Sequence, residues 1–498
     1  LAAVIVGLTT LVYVFFKWRF SYWKKRCVPH IEPSFPYGNL ISMSDTVVLN
    51  RKICELYNRY KDTSPFVGFY FFSSPNAVVT DNELVKNVLI KDFSSFHDRG
   101  LYCDESFDPL SGHLFLLGGQ KWKALRSKLS PTYTSGKMKF MFPTVVEIGE
   151  RFVNTLSELI SAEESIEMKE VIKRFTTDII GTSAFGIECN SLKDPNTEFR
   201  TYGRKMFTEP PGGPFGFLIR SSFPRLSSLL KLKNVRDDVE KFFLNVVHET
   251  VEYREKNNVR RNDFMDLLIQ LKKTGQLEDS PNKFVGKLSL EEVAAQAFVF
   301  FVAGFETSGT VMSFCLYELA MNPDIQTKVR EEINRVLSSH GGKLTYEAML
   351  EMTYLEQVIN ETLRKYPTLI FLFRMAAEDY KVPNSRLVIE KGTRVLIPIY
   401  AIHHDKDVYP NPDVFDPERF SPEQVKARKS QTFLPFGDGP RNCIGMRFGQ
   451  MQTRIGIISV IKNFNIEVST KLELPLKICY DNLLSTIKGG LWMKLKKL

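Results

Sequence analysis

One cysteine, Cys443, stands in the stretch of sequence that is best suited to chemistry. Residues 433–449, FLPFGDGPRNCIGMRFG, form a glycine-rich loop with two prolines that leads into an apolar helical pattern. We expect Cys443 near a helix N-terminus, where the helix dipole and nearby N–H groups lower a thiol pKa and favour the thiolate. No second cysteine lies within thirty residues on either side, which argues against structural zinc and iron–sulfur clusters.

These features favour a single thiolate that serves as the axial ligand of a haem. Gly437, Gly439 and Gly445 would let the backbone approach a flat macrocycle, because they carry no side chain. Arg441 can reach one of the macrocycle's carboxylates. An inert, buried cysteine is the alternative at this point. A cysteine hydrolase is more remote, since it needs a positioned histidine.

A long apolar helix is predicted from Leu290 to Met321. Ser289 and Glu292 match a capping box at its start, and Pro323 follows its end. At 1.5 Å per residue this helix would be roughly 48 Å long, so it must cross the core. Polar residues at its centre argue against the alternative of a second transmembrane span.

The centre of that helix reads AGFETS and begins at Ala303. Ala303 and Gly304 remove side-chain bulk, so a large ligand can lie against the helix there. Thr307 can hydrogen-bond the carbonyl of Ala303 and loosen the helix locally. Glu306 and Thr307 form the acid–alcohol pair that proton delivery to a bound oxygen requires. The alternative is a kinked core helix with a structural polar pair.

Several arginines are candidate counterions for the two propionates of a haem. Trp122 and Arg126 share a helix face at spacing i, i+4, and Arg374 follows a proline-containing loop. Glu361 and Arg364 also share a face, at i, i+3, a spacing that most often marks a surface ion pair.

With these motifs, the chain resembles a microsomal cytochrome P-450, a haem-thiolate monooxygenase, over essentially its whole length. FGDGPRNCIG matches the family's haem-loop pattern F-x-x-G-x-R-x-C-x-G at every fixed position, and AGFETS matches its oxygen-activation motif. ETLR matches the Glu-x-x-Arg pair, and PERF supplies Arg419, the third member of a buried structural network with Glu361 and Arg364. Each motif is weak alone, but four in the right order are specific.

The resemblance implies a mainly α protein with a small β subdomain, the cytochrome P-450 fold with an N-terminal transmembrane anchor, and haem b as cofactor. It implies Cys443 as the proximal iron ligand, and Glu306 and Thr307 in proton delivery. The residues implied to contact the haem are Trp122, Arg126, Arg374, Arg441, Phe436, Gly445, Ala303 and Arg99.

Finer patterns point to a class of substrate. The segments FHDRGLYCDESFDPLSGHLFLLGG and LSPTYTSGKM are similar to insect detoxification members and their vertebrate drug-metabolising relatives. Lipophilic small molecules, xenobiotics such as plant toxins or insecticides, are the expected substrates. The apolar residues expected to line the pocket are Phe107, Phe115, Phe301, Ile370, Leu372 and Leu484.

The chain has no G-x-G-x-x-G or Walker-type loop, so another protein must deliver electrons. The resemblance implies NADPH–cytochrome P-450 reductase, with cytochrome b5 as a second candidate. Lys426, Arg428, Lys429 and Arg447 are a candidate basic docking surface, and a merely solvated charged face is the alternative. A reductase-independent isomerase or dehydratase and a haem-binding carrier or sensor are the alternative functions. The former is expected to lose the acid–alcohol pair, which is intact here.

A cluster of two histidines and an aspartate, at positions 403–405, raises the question of a metal site. Adjacent histidines rarely converge on one ion without a third, positioned ligand, so we do not expect one. A net charge of +9 over 498 residues is too mild to indicate nucleic acid. Seven cysteines, an odd and low number, fit a reducing environment.

The first sixteen residues are apolar and uncharged, and a basic, aromatic stretch follows them. This pattern predicts a retained membrane anchor with a few further residues upstream, because a spanning helix needs about 20; a signal peptide is the alternative. The positive-inside rule places the remainder in the cytosol, and the resemblance implies the endoplasmic reticulum. We expect an anchor over 1–27, a proline-rich hinge over 28–40 and a catalytic domain over 41–498, with β-type runs at 66–80 and 394–398.

Overall fold

Helices form most of the chain, because long stretches repeat apolar residues at helical spacing. A computed structural model describes residues 1–40, 46–278, 286–481 and 484–498. The helices are α1 Ala2–Phe20, α2 Tyr22–Lys25, α3 Thr46–Tyr60, α4 Asn82–Lys86, α5 Gly119–Leu129, α6 Ser135–Ala162, α7 Met168–Ile180, α8 Glu198–Thr208, α9 Gly213–Ser222, α10 Pro224–Leu229, α11 Asp237–Lys256, α12 Phe264–Thr274, α13 Leu290–Met321, α14 Pro323–Ser339, α15 Tyr346–Glu351, α16 Thr353–Lys365, α17 Ile399–His403, α18 Pro422–Ala427 and α19 Met446–Asn463.

Short strands form four small sheets beside the helices. The strands are β1 Phe66–Phe71, β2 Ser74–Val79, β3 Ile166–Glu167, β4 Leu372–Met375, β5 Tyr380–Lys381, β6 Val388–Ile389, β7 Arg394–Ile397, β8 Phe464–Val468, β9 Ile478–Asp481, β10 Leu484–Ile487 and β11 Trp492–Lys497. The largest sheet has the order β1-β2-β7-β4, in which only the β2–β7 pair is parallel. The mainly α prediction is confirmed, and both predicted β-type runs are strands of this sheet.

The predicted core helix has the expected bounds in α13. The side chain of Ser289 accepts the Glu292 N–H and the Glu292 carboxylate accepts the Ser289 N–H, so the capping box is confirmed. About 72% of the most apolar stretch of α13 is buried inside the protein. A helix so enclosed by protein cannot face lipid, which confirms that α13 is a core helix.

The N-terminal helix α1 is long and apolar enough to cross a membrane, and only 6% of its most apolar stretch is buried. Its last turns and α2 nevertheless contact the largest sheet. The ring of Phe16 lies edge-on to Phe72, with centroids 5.3 Å apart. Trp23 is fully buried, and the guanidinium of Arg26 pairs with Glu390 at 2.7 Å. The candidate anchor is thus joined to the helical body by an aromatic and ionic contact.

Replacing Trp23 by Ala is expected to lower the free energy of unfolding by about 3–5 kcal/mol, because it empties a fully buried aromatic site. Trp23 lies against Gly68, where an added Cβ would collide with the indole ring. Thermal unfolding in detergent measures the effect. Trp18→Ala is the matched control, since Trp18 is 60% exposed and its loss should change stability little. Equal effects of the two substitutions would contradict the described contact.

Candidate functional site

The cysteine loop, residues 433–443, folds back on itself just before α19. The Cys443 N–H donates to the carbonyl of Phe436 at 2.8 Å. Gly439 has a φ of +71°, and a Cβ at this position would collide with the carbonyl oxygen of Leu89. Only glycine fits there, which explains one of the glycines in the motif. The expected position of Cys443 near a helix N-terminus is confirmed.

The prediction of a lowered thiol pKa is wrong for the protein chain alone. Burial raises the pKa of Cys443, and the Gly445 N–H and the guanidinium groups of Arg126 and Arg99 oppose this only in part. Moving a thiolate out of water costs free energy. A hydrogen bond from one N–H and the attraction of two partly buried cations offset only part of this cost. A metal ion that binds the sulfur deprotonates a coordinating thiol. Cys443 would therefore be a thiolate when a metal is bound.

Open space lies beside Cys443 and α13. Cys443 is exposed, and so is Ala303 in the middle of the otherwise buried helix. The rings of Phe300 and Phe448, with centroids 5.0 Å apart, join α13 to the first turn of α19. The chain neighbours of both residues are half-buried, so Cys443 and Ala303 are the more accessible residues of their segments. A small side chain on α13 and a thiol on the cysteine loop leave room for a flat ligand.

The acid–alcohol pair of α13 is present, but its two members have different partners. The Thr307 hydroxyl donates to the Ala303 carbonyl at 2.5 Å, which confirms the predicted bond. The Glu306 carboxylate, in a residue 7% exposed, pairs with the Lys173 ammonium of α7 at 2.7 Å. Sequence reasoning missed Lys173, since nothing in its local sequence reveals which helix it faces.

Arg441 is a fully buried cation with unused hydrogen-bond donors. Its guanidinium lies over the ring of Trp122, 4.1 Å from the centroid. Its Nη2 donates to the Leu117 carbonyl at 2.8 Å and to the Asp98 carboxylate at 3.2 Å. Its Nε and Nη1 have no hydrogen-bond partner among the described residues. Burial lowers the pKa of Arg441 to about 10, because the charged form has lost its hydration.

Arg374, on β4, repeats this pattern. It is 1% exposed, its Nη1 donates to the Phe373 carbonyl at 2.8 Å, and its Nε has no partner among the described residues. Burial, and then the charge of Arg441, lowers the pKa of Arg374 to about 10. Arg99 donates to the Arg441 carbonyl at 3.2 Å. Burial, and then the charges of Arg374 and Arg441, lowers the pKa of Arg99.

Four arginines from α5, β4, the cysteine loop and the segment before α5 therefore share one region. The fourth, Arg126, donates to the carbonyl and side-chain oxygens of Asn442 at 3.0 and 2.7 Å. Asp98 is the only carboxylate bonded to this arginine cluster within the described ranges. Buried cations need anionic partners, and haem b carries two carboxylates beside an iron that accepts a thiolate. The residues present fit that group.

The predicted Glu-x-x-Arg pair lies in the core rather than on the surface. The side chains of Glu361 and Arg364 are fully buried and bonded at 2.7 Å through both carboxylate oxygens. Arg419 lies 3.5 Å from the same carboxylate, and the Asp416 N–H donates to it at 3.0 Å. This geometry confirms the structural network that the resemblance implied.

The proposed pocket residues divide into two groups. Phe301 and Ile370 are 0% exposed, so they pack in the core and do not border open space; their prediction as lining residues is wrong. Phe115 is 40% exposed and lies under the Arg99 guanidinium, 4.4 Å from the ring centroid. The residues Phe107, Leu372 and Leu484 are partly exposed.

The side chains at 403–405 have separate partners. The Nε2 atom of His403 accepts the N–H of Leu434 at 2.9 Å, and His404 stacks on Tyr400 with ring centroids 4.0 Å apart. Asp405 accepts the hydroxyl of a tyrosine on α3 at 3.0 Å. The three side chains therefore contact three different neighbours.

The fold and this site define a haem-thiolate class of protein, and comparison with known proteins identifies the family. The family model for "Cytochrome P450" matches residues 29–492. "Cytochrome P450 6a2" of Drosophila melanogaster is 48% identical over 499 residues, covering 99% of each chain. "Cytochrome P450 6A1" of Musca domestica is 46% identical over 493 residues, covering 98% of this chain and 96% of the relative. The chain belongs to the cytochrome P450 family and is a monooxygenase.

Arg364→Met is expected to lower the free energy of unfolding by about 3–5 kcal/mol, because it leaves the Glu361 carboxylate buried without its cation. Denaturant titration measures this. Glu418→Gln is the control, since its 2.7 Å pair with Lys328 is more than half exposed and is expected to contribute about 0–1 kcal/mol. A loss for Arg364→Met no larger than that of the control would show that the buried pair is not needed.

Proposed function

We propose that this protein inserts one oxygen atom of O2 into lipophilic small molecules, with electrons from NADPH delivered by a reductase. The other oxygen atom leaves as water, which consumes two electrons and two protons. The observation that carries the proposal is the arginine cluster, with unpaired buried N–H groups, beside the exposed thiol of Cys443. An anionic macrocycle with a central metal can bind the arginine N–H groups through its carboxylates and the Cys443 sulfur through its metal.

Under this proposal haem b is held by the cysteine loop, α5, β4 and α13. Cys443 would supply the thiolate ligand of the iron, and the unpaired N–H groups of Arg441 and Arg374 would bind the propionates. The bound haem would supply the O2 chemistry. The remaining haem contacts that we propose are Trp122, Arg126, Arg99, Phe436, Gly445 and Ala303.

The catalytic residues that we propose on the protein side are Glu306 and Thr307. The Thr307 hydroxyl is partly exposed and can exchange its bond to the Ala303 carbonyl for a bond to an oxygen in the cavity. The Glu306 carboxylate lies on the α7 side, paired with the partly exposed Lys173. It is placed to take a proton from that side and pass it towards the cavity. An intact pair favours oxygen insertion over isomerisation or dehydration.

Lipophilic xenobiotics, such as plant toxins or insecticides, are the substrates that we propose. Several side chains beside the site are apolar and accessible: Ala303 and Phe115 are exposed, and Leu372 is partly so. Such a lining favours apolar ligands, because their surface is removed from water when they bind. A carrier or sensor would have the same lining but would need no acid–alcohol pair.

We propose that an acidic electron donor, the reductase or cytochrome b5, docks on exposed basic residues near the cysteine loop. Lys426, Lys429 and Arg447 are exposed. Arg428 is half-buried, donates to the Arg419 carbonyl and lies over aromatic rings. It is therefore the least exposed of the four expected docking residues.

Residues 1–27 are proposed as the membrane anchor, 28–40 as the connection and 41–498 as the catalytic domain. The exposed, apolar α1 and the basic residues that follow it support an endoplasmic reticulum membrane location with the body in the cytosol. Contacts of Phe16, Trp23 and Arg26 with the sheet limit how freely the connection can move.

Dithionite-reduced membranes that contain the protein are expected to give, with carbon monoxide, the long-wavelength Soret band of a thiolate-ligated haem. Cys443→Ala should abolish this band, and Cys27→Ala, at another exposed cysteine, should leave it intact. With reductase and NADPH, the wild type should then oxidise a lipophilic probe. Folded, haem-loaded protein without the band would overturn Cys443 ligation, and equal turnover without NADPH would favour an isomerase or dehydratase.

Reversing the charges of Lys426 and Lys429 to Glu should slow electron transfer from the reductase roughly tenfold at low salt, because steering depends on charge complementarity. Stopped-flow reduction under carbon monoxide measures the rate. The defect should shrink as ionic strength rises, while the dithionite-reduced spectrum stays unchanged. Lys193→Glu, at an exposed lysine outside this surface, serves as the control. No difference from this control would show that the donor docks elsewhere.

A further inference from the structure

His403 lies at the point where the helical core meets the cysteine loop. It is 0% exposed and ends α17. Its Nε2 atom accepts the Leu434 N–H at 2.9 Å, and its ring stacks on Phe433 with centroids 5.5 Å apart and planes at 29°. Leu434 and Phe433 are the first two residues of the cysteine loop, so one side chain orients the start of that loop.

The backbone of His403 is bonded to the buried ion pair of α16. Nη1 of Arg364 donates to the His403 carbonyl at 3.2 Å, and Glu361 holds the same guanidinium at 2.7 Å. A continuous series of buried contacts therefore runs from the ion pair, through the main chain and ring of His403, to the Leu434 N–H. Every group in this series is enclosed by protein, where a lost hydrogen bond costs most.

The other supports of the loop act at different positions. The Tyr409 hydroxyl donates to the Thr432 carbonyl at 3.0 Å, one residue before the loop begins. At the far end, Arg126 donates to the carbonyl and side-chain oxygens of Asn442. His403 alone accepts the Leu434 N–H among the described residues. Leu434 is 1% exposed, so water cannot replace that acceptor.

The His403 ring stays neutral, which suits it to this role. Burial, and then the charges of His404 and Arg364, lowers the pKa of His403 well below its ordinary value. Because Nε2 accepts the Leu434 N–H, the ring proton is on Nδ1. The contact is therefore a constant support rather than a pH-dependent switch.

We propose that His403 is a positioning residue for Cys443: by accepting the Leu434 N–H and stacking on Phe433, it fixes the start of the cysteine loop and thereby the direction of the thiol. The proposal rests on the proposed role of Cys443 as haem ligand. The substitution that removes the acceptor should release the loop and favour the thiol-ligated or detached form of the haem over the thiolate-ligated form.

Two variants separate the acceptor from the ring. His403→Phe keeps an aromatic ring of similar size but has no acceptor, whereas His403→Gln keeps an acceptor oxygen and loses the ring. The matched control is His404→Phe, at the neighbouring histidine, which stacks on Tyr400 and does not contact the cysteine loop in the described structure.

The first readout is the ratio of thiolate-type to thiol-type Soret bands in the reduced carbon monoxide complex. We expect this ratio to fall in His403→Phe, to take an intermediate value in His403→Gln and to stay unchanged in His404→Phe. The second readout is backbone hydrogen exchange in the peptide that contains Leu434. Exchange should be at least roughly fivefold faster in His403→Phe, since a buried hydrogen bond contributes about 1 kcal/mol or more.

Wild-type band ratio and wild-type exchange in His403→Phe would overturn the positioning role while leaving Cys443 ligation intact. If His403→Phe does not fold, His403→Gln is the test. A wild-type band ratio together with wild-type exchange in His403→Gln would then overturn the proposal. Equal loss of the thiolate band in His404→Phe would also overturn it, because the effect would then be general loosening. A wild-type protein that lacks the thiolate band overturns the proposed function itself, which is a distinguishable result.

Discussion

The structure depends on a group of buried guanidinium ions that the protein chain does not neutralise. Arg374 and Arg441 are enclosed, and N–H groups of both have no acceptor among the residues that the structure describes. Within the described residues, Asp98 is the one carboxylate bonded to the arginine cluster. Desolvated cations that repel one another destabilise a fold, so the chain is built to bind an anion. In the proposed haem complex two propionates would supply this charge, which would link the stability of the fold to binding of the cofactor.

The helices and the cysteine loop also bring together the other residues of the proposed haem site. The core helix α13 contributes a small, exposed residue, Ala303, and the acid–alcohol pair for which we propose proton delivery. The cysteine loop presents Cys443, and its shape depends on glycine at position 439, where a side chain would collide with the carbonyl oxygen of Leu89. The fully buried Glu361–Arg364 pair holds the segment from which His403 reaches the loop. We therefore infer that the buried ion pair of α16 affects the position of the Cys443 sulfur through His403.

Much of this arrangement was predictable from the sequence, since its motifs are local. The bounds and capping box of α13, the bond from Thr307 to the Ala303 carbonyl and the position of Cys443 before a helix all follow from spacing and residue type. Features that depend on tertiary contacts could not be predicted from the sequence. The partner of Glu306 is Lys173, on a different helix, and the burial that raises the pKa of Cys443 outweighs the helix effect that local sequence suggested. Arg428 reads as a surface charge in sequence but contacts a backbone carbonyl and aromatic rings.

A crystal structure of the haem-loaded protein, with anomalous scattering data collected at the iron edge, would locate the cofactor. We predict a single iron bonded to the sulfur of Cys443, with the two haem carboxylates on the N–H groups of Arg374 and Arg441 that lack an acceptor among the described residues. An iron bonded to any other residue, or carboxylates directed away from these arginines, would contradict this prediction.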